Sequence, residues 1–209
     1  MNKNIKSIFT ALENHYPTST IALNFSTPME LLVTTVLSAQ STDALINKIT
    51  PALFERCKTV KDYAEIPVED LEKLIFSSGF YHNKAANIKN AAQVIIDEFG
   101  GVVPNNMEDL LKLPGVARKT ANIVLYHAFG IEEGIAVDTH VKRISRLIGL
   151  TESNDPNKIE KDLMAIIPRQ LWGKTNTLLI SLGRDICIAN RPRCSECPIK
   201  KYCRHGAKA

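Results

Sequence analysis

Hydrophobic positions along this chain recur at helical spacing, and nowhere do they settle into a sustained strand-like alternation. Ile5, Ile8, Phe9 and Leu12 fall at i, i+3, i+4 and i+7, the stripe of an amphipathic first helix. Thr27, Pro28, Met29 and Glu30 supply a capping box with proline at the first helical position. The apolar run Leu31 to Leu37 follows and predicts a buried helix. Further helices are expected over 42–54, disturbed at Pro51, over 68–76, and over 84–99, where Gly100 and Gly101 stop the last. Later elements are a helix over 139–148 between Asp138 and Gly149, one opened by Asp155 and Pro156, and one over 168–182. The pattern predicts an all-α protein without internal repeats or low-complexity segments.

The most informative stretch runs from Glu108 to His140. A short helix ending at Leu113, a tight turn of Pro114, Gly115, Val116 and Ala117, and a second helix from about Arg118 to Phe129 make a helix-hairpin-helix over about 108–127. The turn presents backbone N–H groups at the positive end of the second helix, a ready site for phosphate. A DNA backbone is the natural ligand, with Gly115, Val116, Ala117 and Arg118 as contacts.

Composition adds little to the fold and more to the partner. The 209 residues are 44% hydrophobic but only 6% aromatic, as befits an aliphatic helical protein. No apolar run reaches membrane-spanning length and the N-terminus lacks a signal-peptide core, so a soluble, cytoplasmic protein is expected. The net charge of +4 is concentrated at one end: from Arg184 onward seven basic residues face two acidic ones. Local basicity suits either a polyanion-facing patch or a solvated tail.

Five cysteines divide into Cys57, read as a small buried hydrophobe, and a group of four. Cys187, Cys194, Cys197 and Cys203 have the spacing C-x6-C-x2-C-x5-C, which argues for a metal centre over disulfides in a chain without secretory features. Spacing leaves tetrahedral zinc and a cubane iron-sulfur cluster both open, and puts zinc ahead.

Two further residues have competing readings. Lys119 is by default a solvated charge, and Asp138, placed before a helix, is by default an N-cap. Yet Lys119 sits in the first turn of the hairpin's second helix beside Arg118. A positive dipole end and a neighbouring cation both disfavour the ammonium form and favour a free, nucleophilic amine.

The Leu113-Pro114-Gly115-Val116 turn with Arg118, Lys119, Thr120 and Ala121, the Val137-Asp138-Thr139-His140 box and the C-terminal cysteines together resemble the endonuclease III family, over nearly the whole chain. This is a family of helix-hairpin-helix, iron-sulfur DNA glycosylases with lyase activity on abasic sites. The resemblance implies a six-helix domain over 21–133, and an iron-sulfur domain made of 1–20 and 134–209, with a DNA-binding cleft between these lobes. It implies that the four cysteines hold a [4Fe-4S] cluster, reversing the order set by spacing. The loop between the first two, stiffened by Pro192 and held at both ends by ligands, offers Arg191 and Arg193 either as solvated charges or as phosphate contacts, and the hairpin's implied DNA favours contact.

The resemblance further implies that Lys119 is the imine-forming nucleophile and Asp138 the catalytic aspartate, acting on oxidised pyrimidines and abasic sites in double-stranded DNA. Gln40 and Phe80 would fill the space left by a flipped nucleotide, with Asp43 bordering the lesion pocket. A monomer is expected. Two residues depart from the pattern: Ala117 stands where a second glycine is usual, and Phe80 where many relatives carry leucine. Relatives that remove adenine opposite oxidised guanine lack the lysine and carry a glutamate where this chain has Thr35, which favours the bifunctional lyase. A non-catalytic iron-sulfur DNA-binding protein and a zinc-stabilised adaptor are the alternatives from other classes.

Overall fold

A computed structural model describes residues 3–208. Eleven α-helices and several short 3-10 turns account for the regular structure among these residues, and none of them is in a strand. No described helix is long and apolar enough to cross a membrane. The chain divides into two compact units, one of 1–21 with 132–209 and the other of 22–131.

The unit of 22–131 holds seven α-helices where the resemblance implies six. They are α2 (Pro28–Leu37), α3 (Asp43–Arg56), α4 (Val60–Glu65), α5 (Val68–Ile75), α6 (Tyr81–Phe99), α7 (Met107–Leu110) and α8 (Arg118–Phe129), and α1 (Lys3–His15) belongs to the other unit. Local chemistry explains most starts. The Thr27 hydroxyl accepts from Glu30 N at 3.2 Å, Pro28 occupies the first turn, and Met29 and all of Leu31 to Leu37 are buried. Pro51 lies inside α3, which continues through it to Arg56. α4, which the hydrophobic pattern does not mark, is too short to display a period; a reciprocal capping box between Thr59 and Asp62 sets it. α6 starts earlier than expected, at Tyr81, with Phe80 as its N-cap in the left-handed region.

The other unit joins α1 to α9 (Thr139–Ile148), α10 (Pro156–Ile166) and α11 (Trp172–Asp185). The predicted stripe of Ile5, Ile8, Phe9 and Leu12 is at most 3% exposed and packs with Val141, Ile144, Leu163, Leu178 and Leu182. The expected helix over 168–182 is split in kind: Arg169–Leu171 forms a 3-10 turn before α11 begins. Beyond α11 the chain has too few residues for a core of its own, and Ile199, Cys197, Cys203 and Tyr202 lean on this one.

Candidate functional site

The hairpin is built from short-range bonds. Asn106 caps α7 by accepting from Asp109 N at 2.9 Å, and Asp109 in turn accepts from Lys112 at 2.6 Å, which holds its carboxyl below the usual range. α7 ends at Leu110, three residues earlier than expected, and Leu113 N to Leu110 O and Val116 N to Leu113 O carry the chain through successive turns. Gly115 has φ +78°, a conformation that L side chains rarely adopt. Ala117 has φ −101° and ψ 170°, extended backbone open to any residue, so its methyl group strains nothing.

α8 begins at Arg118 with no side-chain cap from Ala117 and no acidic residue in its first turn. The first turn of the helix therefore supplies no anion of its own to neutralise its positive end. Lys119 is exposed in that first turn. On the facing helix α2, Thr35 is 4% exposed and its hydroxyl donates to Leu31 O at 2.7 Å.

Gln40 and Phe80 share an unusual backbone. They are the only non-glycine residues with positive φ among those described, at 55° and 49°, and both are exposed. Their loops adjoin: the Ser41 hydroxyl donates to Ser78 O, and buried Lys84 donates to Leu37 O at 2.8 Å and to Ser78 O at 2.7 Å. Asp43 is half-buried at the start of α3, behind the Thr42 cap.

Asp138 belongs to the other unit, as the N-cap of α9. Its Oδ1 accepts from Val141 N at 2.7 Å, which fixes the half-buried carboxylate in one orientation. Capping and chemistry are compatible, because one oxygen holds the helix and Oδ2 is a separate acceptor. Behind it, Lys142, Arg143, Arg146 and Arg204 line an open groove with Thr139 and Leu147. The i, i+4 spacing of Lys142 and Arg146 marks this groove in the sequence, whereas Arg204 arrives from far along the chain and pairs with Glu152.

The four cysteines line one cavity together with Leu147, Ile186, Pro192 and Lys200. Cys187 closes the end of α11 through its N–H to Leu182 O at 2.7 Å. Arg143 donates to Cys187 O at 2.6 Å and approaches its sulfur at 3.6 Å. Burial pushes the Cys187 and Cys197 thiols up, and the neighbouring sulfurs add to the shift. Among the described residues no group of three or more His, Cys, Asp or Glu is arranged to hold a single metal ion. Cys57 is 1% exposed in the other unit.

The two loop arginines differ. Arg193 donates to Glu196 at 2.9 Å and to Asp185 at 3.1 Å, so its fork is engaged within the protein. Arg191 is exposed.

The family model described as HhH-GPD superfamily base excision DNA repair protein matches residues 33–169, a span that includes both Lys119 and Asp138. The chain is 50% identical over 196 residues to endonuclease III of Synechocystis, covering 94% of this chain and 90% of that protein. It is 44% identical over 207 residues to endonuclease III of Bacillus subtilis, with 99% and 94% covered. Its fold superposes with a TM-score of 0.92 on a trapped endonuclease III–DNA covalent intermediate, at 44% identity, covering all of this chain and 98% of that one.

Proposed function

The chain belongs to the endonuclease III family within the HhH-GPD superfamily of base excision DNA repair proteins, and on that premise we propose that it is a bifunctional DNA glycosylase and abasic-site lyase that uses Lys119 as its amine. The observation that carries the reading is an exposed lysine in the first turn of a helix whose positive end is uncapped, directly after a Gly115 turn. The backbone N–H groups there hold a DNA phosphate, and the lysine is thereby set beside the sugar of a flipped-out nucleotide. The covalent DNA complex of a relative with 44% identity supports an amine-based route.

In this reaction the Lys119 Nζ forms a bond to C1′ as the glycosidic C–N bond breaks, and the base leaves with that electron pair and a proton. The amine loses its protons and the sugar ring opens to give an imine. Loss of a C2′ proton then expels the 3′ phosphate by β-elimination, and water releases the lysine. Asp138, oriented by its bond to Val141 N, stabilises positive charge at C1′ as the base departs. Thr35, buried and bonded to its own helix, offers no carboxylate for the hydrolytic removal of adenine.

Oxidised pyrimidines and abasic sites in duplex DNA are the proposed substrates, Gln40 and Phe80 fill the vacated stack, and Asp43 borders the pocket. The protein acts as a monomer in the cytoplasm, at the nucleoid. Cys187, Cys194, Cys197 and Cys203 hold a [4Fe-4S] cluster; four cysteines lining one cavity supply the all-thiolate donor set that such a cluster takes, and family membership favours it over zinc. The cluster's contribution is structural, since it anchors a chain end without a core of its own. Borohydride trapping on a duplex with an abasic site tests the reading. A covalent adduct that vanishes in Lys119→Gln is expected, and an adduct of undiminished yield in that variant overturns the assignment.

A further inference from the structure

Lys84 is 5% exposed, yet no carboxylate is among its bonded partners. Its ammonium donates to Leu37 O at 2.8 Å, Ser78 O at 2.7 Å and Ser41 Oγ at 3.3 Å, one acceptor for each of its three protons. Leu37 is the last residue of α2 and Ser78 the last of the 3-10 turn Phe76–Ser78. Their carbonyls lie at the negative ends of two elements, where a cation is favoured. The Ser41 hydroxyl closes the arrangement by donating to Ser78 O.

What these bonds hold is more telling than their number. Gln40 lies three residues beyond Leu37, and Phe80 two beyond Ser78. Among the described residues these are the two non-glycine residues in the left-handed region, and Phe80 is 66% exposed. A bulky residue in that conformation is strained, and it persists only where its surroundings over-determine it. Neither apolar burial nor glycine-like freedom explains an exposed phenylalanine there.

We infer that Lys84 is a positioning residue for DNA opening, its ammonium clamping the Gln40 and Phe80 loops into one rigid two-pronged wedge. The inference rests on the reading that Gln40 and Phe80 fill the vacated stack. Burial holds the Lys84 ammonium below the usual lysine range, so the bonds to carbonyl oxygen are what keep the charged form in place.

The test is a double-mutant cycle on the full-length protein. Its readout is the fluorescence rise of 2-aminopurine opposite a tetrahydrofuran abasic analogue in duplex DNA, which reports base extrusion without any covalent step. Lys84→Met, which keeps the side-chain length and removes the donors, should weaken the extrusion equilibrium about tenfold in the wild-type background, and by far less in Gln40→Ala/Phe80→Ala. Equal losses in both backgrounds, or no loss in either, overturn the inference, because a general effect on folding is additive. If Lys84→Met does not fold, Ser41→Ala is taken through the same cycle with the same criterion. Should Gln40→Ala/Phe80→Ala by itself leave extrusion intact, the wedge reading fails first and the inference falls with it.

Discussion

Asn87 packs directly against Gly115: a Cβ placed on the glycine would stand 2.9 Å from Cβ of Asn87. The hairpin turn is thus pressed against α6, the helix that also carries Lys84 one turn earlier. Residues three apart share a helix face, so one side of α6 supports both the hairpin turn and the loops of Gln40 and Phe80. Gly115→Ala meets two obstacles, the positive φ and the contact with Asn87. It should destabilise the fold by about 1–3 kcal/mol and weaken DNA binding in parallel. Thermal denaturation and fluorescence anisotropy check this, and a variant with wild-type melting would show that the turn relaxes freely.

Asp138→Asn separates the capping role of this residue from its charge. Asparagine caps helices as well as aspartate, so α9 and the melting temperature should be nearly unchanged. Base removal from thymine glycol should fall by about 10² or more, because the charge that steadies C1′ is gone. Cleavage of a preformed abasic site should suffer less, since no base is expelled. Single-turnover assays on both substrates give the comparison; full activity on thymine glycol would leave Asp138 as a cap alone.

Arg191 and Arg193, although two residues apart, should respond differently to removal. Arg191→Ala should lower the slope of log affinity against log salt by about one, as one phosphate contact is lost. Arg193→Ala should leave that slope near the wild-type value, because its guanidinium is engaged by Glu196 and Asp185. Its effect should fall on the stability of the cysteine loop, seen as earlier loss of bound iron on heating. Equal slopes for the two variants would contradict this division.

Cys194→Ser should reduce soluble yield and iron content before it alters chemistry. Wild-type protein should contain about four irons per chain and absorb broadly in the visible range. Stoichiometric zinc in a colourless preparation would return the site to the order that spacing suggested.

His127, packed in α8, is pushed by burial down to about 4 from a usual value of 6.5. The unfolded chain therefore binds a proton that the folded protein refuses, and this residue lowers stability as pH drops from about 6.5 to about 4. Urea denaturation at pH 7 and pH 5 should show a decline that His127→Gln lessens. An identical decline in the variant would assign the pH dependence to other groups.

The sequence by itself determined the features whose causes lie within one or two helical turns. The α1 stripe, the Thr27 and Asp155 caps, the Gly130 and Gly149 stops and the Arg118–Phe129 helix all follow from residues three or four apart. The cysteine spacing likewise pointed to a shared site, and the four residues line one cavity. Tertiary structure decided the rest, because the partners are distant in the chain. Lys84 reads as a solvated charge until folding brings Leu37, 47 positions away, to its ammonium. Arg193 reads as a free phosphate ligand until Asp185 and Glu196 take its guanidinium. The strain at Gln40 and Phe80 has no mark in composition, since neither residue favours a left-handed backbone. Local periodicity encodes which face of a helix is buried, whereas only packing determines which polar group meets a buried charge, and that choice shapes the surface this protein presents.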